Sequence, residues 1–406
     1  MMRSDITPAS WIFALACAAI AFASPGSAAE AGLRLSLDER AAPETLYRYR
    51  EDACDPHDHP DVPARAFRDA QGKIRLLATN FVHRALVGDS FASLKKLCDV
   101  IYRPSQRPDP SLYDDKAWIQ AVYTLDGITV HALLSADFHD YRHSKACPFG
   151  ADTNKCWYNA ITAAVSTDGG LNFRPLREPP AHYVAGPSVR HDLNAGRSVG
   201  FFTTSNILHY RGHYYALVYT GGGFAEQRRG VCVLRTATIE EPASWRAWDG
   251  TGFGYAFADP YANDERPTDA GCRPVSPSFL NGPLRSVLLH RPSGLFVGVM
   301  LTTGSTRETR ETRGVYYTLS RDLIEWSRPQ PLFIAPTRAE VKRLSGGGSK
   351  ADAAIDYPSI IDHASPGDNF EFLAGEPHLY YVELPVANGK LTGERRLVRR
   401  RLAITN

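Results

Sequence analysis

PARAFRDAQGKIRLLAT, Pro63 to Thr79, is an alternating apolar run, a turn at Ala70-Gln71-Gly72 and a second apolar run. Successive strand side chains point to opposite faces, so period-2 alternation around a short glycine-bearing turn is the pattern of a β-hairpin. The plan recurs in WIQAVYTLDGITVHALL (Trp118 to Leu134), SNILHYRGHYYALVYT (Ser205 to Thr220) and RSVLLHRPSGLFVGVML (Arg285 to Leu301). A last copy, YPSIIDH (Tyr357 to His363), meets its partner HLYYVEL (His378 to Leu384) after a longer loop. Widely spaced repeats that contain only strands predict a propeller rather than a solenoid. The expected fold is therefore all-β, a five-bladed β-propeller in a single domain over residues 30–406. Leu33 to Leu37 is expected to close the ring against the last strand, Arg396 to Ile404, removing a free sheet edge.

Residues 1–29 read as a signal peptide. Arg3 precedes the apolar run Trp11 to Ala23, which is too short to span a bilayer comfortably, and Ser27-Ala28-Ala29 offers small residues for cleavage. Cys17 as a lipoprotein acceptor is the rival reading. No other stretch is long and apolar enough to cross a membrane, so a periplasmic or secreted monomer is expected. A net charge of +2 in 406 residues leaves no basic stripe for nucleic acid. The one candidate, Arg395 to Arg401 (RRLVRRR), alternates with apolar residues and reads as an exposed strand.

Beyond Cys17, Cys54, Cys98, Cys147, Cys156, Cys232 and Cys272 make an even set, which in an exported chain favours three disulfides. Cys147–Cys156 is the first expected pair, and proximity in sequence suggests Cys54–Cys98 and Cys232–Cys272. No CxxC spacing supports a metal–thiolate site, and no cofactor or metal is expected. Ser166 to Phe173 (STDGGLNF) fits S-x-D-x-G-x-x-W/F, the Asp box, in which the carboxylate caps turn amides and the aromatic packs beneath. Ser320 to Trp326 is a close variant and Arg235 to Trp248 a longer one. Their acids are read as structural.

Hairpins with acidic residues near their starts, together with the S-x-D-L-x-x-W turn at Ser320, resemble the five-bladed glycoside hydrolases of the arabinanase, xylosidase and fructosidase type. The Asp box adds a sialidase-like element. The resemblance implies a pocket at the propeller axis lined by three carboxylates, one from each of the first three blades. Asp61, before Pro63-Ala64-Arg65, matches the first-blade base or nucleophile, with Asp58 as rival. Asp137 is the second carboxylate, with Asp115 as rival. The general acid's place falls near Thr203, where no carboxylate stands; Glu226 lies in a Gly-rich loop nearby.

Hydrolysis needs one carboxylic acid and one carboxylate, a pair that Asp61 and Asp137 supply if burial raises the pKa of one. Arg65 and Arg285 stand in inner strands where Val or Ile is expected, and read as a grip on a substrate carboxylate or sulfate, or as partners of a nearby Asp. His139, Arg142 and His143 follow Asp137 as a pocket wall or an ordinary polar loop. Asn206 reads as a sugar-hydroxyl ligand or a loop cap. Asp356, Tyr357 and Trp118 open inner strands, where an aromatic stacks on a sugar face or packs in the core. The expected partner is an oligo- or polysaccharide, neutral or anionic. A polysaccharide lyase and a non-catalytic glycan-binding propeller are the alternatives to a hydrolase.

Overall fold

The computed structural model describes residues 1–2, 32–139, 142–143, 147–150, 152–262, 271–302, 313–344 and 351–405. Residues 3–31, which hold nearly all of the expected signal peptide, Asp140, Tyr141 and most of the two Gly-bearing loops at 303–313 and 344–354 lie outside the described residues. Elsewhere the chain is strand after strand. Arg65–Arg68 pairs with Ile74–Leu77 around Gly72, and Leu86–Gly88 and Lys95–Lys96 follow. The next antiparallel run is Lys116–Thr124, Val130–His139 and Trp157–Ser166. A third joins Val199–Thr204, His213–Thr220, Gly230–Thr236 and Arg246–Ala247. Leu284–His290, Leu295–Thr302, Gly314–Ser320 and Gln330–Ile334 make another. The last is Ala353–Asp362, Pro377–Ala387 and Arg396–Thr405.

The first strand of each run adjoins the first strand of the next, and Ala353–Asp362 returns to touch Arg65–Arg68. Apolar clusters lie between consecutive runs. Phe67 and Leu77 pack with Ile119, Val122 and Leu134 of the following run. Ala66, Ile74 and Leu76 pack with Ile361, Tyr380 and Leu397 of the last run. Two-residue periodicity sends alternate side chains to the two neighbours. Both faces are thus covered, and both carry apolar residues.

Arg34–Leu37 pairs with the C-terminal strand, Leu35 opposite Ile404. Glu44–Arg48 pairs with the same strand. The RRLVRRR segment is consequently not an exposed strand. Arg396–Thr405 has neighbours on both sides, and Arg399 is buried, donating to Glu44 and to the Phe91 carbonyl. The third inner strand also begins earlier than its sequence pattern suggests, at Val199 rather than Ser205.

Cys54–Cys98, Cys147–Cys156 and Cys232–Cys272 are joined, with Cα–Cα separations of 5.6, 5.9 and 6.0 Å. Asp168 accepts from the amides of Leu171 and Asn172, and Asp322 from those of Ile324 and Glu325. Phe173 and Trp326 are buried beneath those turns.

Gly200 sits where the Val199–Thr204 strand bridges in parallel to Trp157–Ser166. Its φ is +149°, and a Cβ there would stand 2.2 Å from the Asn159 carbonyl oxygen. Gly200→Ala is expected to cost about 2 kcal/mol or more, by backbone strain and by parting the second and third runs. A urea midpoint unchanged from wild type would overturn that expectation.

Candidate active site

Strands that face an axis on one edge must end their pairing there, and this chain does so with bulges. Register shifts fall at Gln120, at Thr203, at Arg285 and between Asp356 and Ser359, each in the first strand of its run. A bulge leaves backbone groups unpaired and re-aims side chains. Arg65 collects the freed carbonyls. Its guanidinium donates to the oxygens of Gln120 (2.6 Å), Arg285 (2.6 Å), Thr204 (3.2 Å) and Ala64 (3.1 Å). The side chain is 4 % exposed, and burial, with the Arg285 charge beside it, pulls its pKa down to about 9. Arg65 therefore lies under the site rather than in its wall.

Above it opens a cavity of about 530 Å³. Asp61, Trp118, Asp137, His139, Asp356 and Tyr357 line it, as does Thr203, the place where the expected acid is absent. Trp157 and Phe202 add aromatic wall. Thr203 and Tyr357 both hold left-handed backbone, at φ 51° and 53°, which is uncommon for such side chains and concentrates at functional sites.

The two predicted catalytic carboxyls sit in opposite surroundings. Asp61 is salt-bridged. Its Oδ1 accepts from Tyr357 Oη (2.9 Å) and from Arg395, and Arg338 stands 3.6 Å away. Oδ2 has His59 at 4.0 Å. Burial lowers the His59 pKa to about 4, leaving a neutral ring whose Nε2 accepts from Asn80. Asp137 is 8 % exposed on Val130–His139, with the Ser135 hydroxyl donating to it at 3.1 Å. Burial raises its pKa well above the usual carboxylate value, and the charges of Asp61 and Asp115 push the same way. Ser135 in turn accepts from the Asn159 amide (3.0 Å), which also donates to the Phe201 carbonyl and so ties the second run to the third.

Asp356 accepts from the Tyr357 amide and faces Arg285 and Arg338, each at 3.8 Å. Arg285 lies 5.2 Å from the Tyr357 ring centre and donates to Thr203 Oγ1. It touches residues of the wall without lining the cavity. His139 is held neutral by burial, its pKa lowered to about 4, and stacks on Trp157.

Other candidates sit elsewhere. Asn206 binds the backbone of Val287 through both its amide atoms, stitching the third run to the fourth. Arg142 is exposed and outside the wall. The rivals are engaged too: Asp58 is fully buried against Lys96 (2.9 Å), and Asp115 pairs with His143 (2.9 Å). Glu226 is exposed.

Lys116, Arg338 and Lys342 in the wall were not anticipated. Arg338 and Lys342 belong to the helix Arg338–Arg343, whose Thr337 cap accepts from the Glu340 amide. Thr337-Arg338-Ala339-Glu340 is the T-x-x-E start signature, the signal that could have revealed it. The i, i+4 spacing puts both cations on one face.

No protein-family model matches the chain, and no curated protein sequence does either. Among solved structures it is similar to five-bladed propeller glycoside hydrolases of the xylosidase and arabinanase type. The xylan β-1,4-xylosidase from Bacillus halodurans C-125 aligns at 9% identity and TM-score 0.43, over 85% of this chain and 54% of that one. This chain thus spans about half the length of that xylosidase. The GH43_1 enzyme from Xanthomonas citri aligns at 12% identity and TM-score 0.46, over 90% of each chain. The Cellvibrio cellulosa α-L-arabinanase complexed with arabinohexaose aligns at 10% identity and TM-score 0.43, over 86% of this chain and 91% of that one.

Proposed function

We propose that this chain is an exported glycoside hydrolase, built as a five-bladed β-propeller with its active site in the 530 Å³ cavity. The ring of five first strands, each with a bulge or a chain entry at the axis, supports the blade reading. Three disulfides support an oxidising compartment. The observation that carries the activity is a pair of carboxyls in opposite surroundings in one aromatic-walled cavity: a buried Asp137 whose pKa is raised and a salt-bridged Asp61.

Asp137 would give its proton to the glycosidic oxygen as the bond to the anomeric carbon breaks. Asp61, through the less encumbered Oδ2, would take the proton of an attacking water or attack the carbon itself. Arg395 and Tyr357 on Oδ1 fix its orientation. Trp118 and Trp157 offer faces for a sugar ring. The test is release of reducing ends from a glycan panel by the wild-type protein, lost in Asp61→Asn. Turnover surviving intact in that variant would remove Asp61 from the mechanism. A parallel rise in absorbance near 235 nm would instead mean elimination by a lyase.

The acid's protonation predicts the pH profile. Asp137 must keep its proton, so kcat is expected to fall as pH rises through its raised pKa. The fall is absent from any activity that does not use Asp137. A kcat flat from pH 5 to 10 would contradict the assignment.

A further inference from the structure

Charge around the cavity is unbalanced in a way its walls do not correct. Lys116, Arg338 and Lys342 line it, while Arg395 and Arg285 stand against its carboxylates. Against these five cations the wall sets Asp61, Asp356 and Asp137, and burial of Asp137 opposes its charged form, while His139 is held neutral. The cations also crowd one another. Burial lowers the Lys342 pKa, and the charges of Arg338 and Arg395 lower it further. Like charges confined in one low-dielectric cleft raise each other's free energy, which a bound anion relieves.

The placement is selective. Arg338 already serves Asp61, Asp356 and Tyr357. Lys116 has no carboxylate within ion-pair distance among the described residues; its ammonium lies over Phe81 (4.7 Å) and Trp118 (5.9 Å). A cation resting on the aromatic that would stack a sugar is placed to meet a charge carried by that sugar. Lys342 extends from the helix on the same face as Arg338.

We infer that the glycan taken by this site is acidic, with a sugar-borne carboxylate or sulfate held by Lys116 and by the Arg338–Lys342 face of the helix. The inference rests on the glycan-active reading of the cavity and adds the substrate class. It also moves anion recognition away from Arg65, whose donors are spent on backbone carbonyls.

The test is calorimetric titration of the full chain carrying Asp137→Asn, so that turnover is slowed during the titration. The ligands are hexuronate oligosaccharides, the same oligosaccharides with carboxyls reduced to alcohols, sulfated oligosaccharides and neutral xylo-oligosaccharides. At least one acidic set is expected to bind about tenfold or more tighter than its neutral counterpart, and to weaken as salt rises. Uronate against sulfate separates the two sources of charge. Lys116→Met and Lys342→Met are each expected to lower the acidic affinity about tenfold and to flatten its salt dependence. Reduced or neutral chains binding as tightly as acidic ones would overturn the inference, whatever the lysine variants do. Hydrolysis of neutral chains alone would sink the acidic substrate and leave the hydrolase. Acidic binding without reducing ends from the wild-type protein would do the reverse.

Discussion

Asp137→Asn is expected to lower kcat about 10²- to 10⁴-fold, the usual worth of a positioned general acid, while making the folded protein more resistant to alkaline pH. The two effects share one cause. Burial makes the Asp137 charge costly, by more than the Ser135 hydrogen bond offsets, so its pKa in the folded chain lies well above the usual carboxylate range. A carboxyl with a raised folded pKa binds its proton more tightly in the native state. Its contribution to stability is fully present below the unfolded pKa and is lost as pH rises through the folded one. Asparagine is neutral throughout and does not incur that loss. Melting curves of the two proteins should therefore nearly coincide near pH 4 and separate in favour of the variant as pH rises. A variant that loses more stability at pH 8 than at pH 4 would show that Asp137 is a structural carboxylate, not a stored proton.

Arg65→Met should give the largest loss of stability, about 3–5 kcal/mol. The guanidinium is the common donor for the Ala64 carbonyl and for carbonyls on the strands beginning at Lys116, Val199 and Leu284. Removing it leaves buried acceptors without partners, at about 1–3 kcal/mol each, offset in part because a buried cation goes with it. Arg65→Lys should recover only a fraction, since one ammonium cannot reproduce the fork that spans several strands. Urea midpoints at constant m-value read both. A midpoint for Arg65→Met equivalent to a loss below about 1 kcal/mol would mean the bulge carbonyls find water or other partners.

Much of this was legible along the chain. The hairpins read at Pro63, Trp118, Ser205 and Arg285 followed from alternation and turn glycines, because pleat periodicity and backbone sterics act over a few residues. The disulfides joined cysteines that are near in sequence. Asp61, Asp137, Trp118, His139, Asp356 and Tyr357 reached one cavity because strand starts and ends of a radial repeat converge at the axis. Arg65 was seen as anomalous in an inner strand, but its partners lie 55, 139 and 220 residues away. Such distances leave no local pattern.

What the sequence determined by itself is therefore the period of the strands, the positions of the turns and the acids at strand ends, all set by interactions between near neighbours. Which Asp has its pKa raised was left to tertiary structure. Asp61 and Asp137 are the same residue type, and only the Arg395 and Tyr357 contacts around one and the burial of the other distinguish them. The same holds for the cations. Arg338 and Lys342 sit on a six-residue helix whose sequence says only that it is capped. Packing of that helix against Ala353–Asp362 makes it a wall of the site, since long-range charge and desolvation depend on distances that folding alone sets.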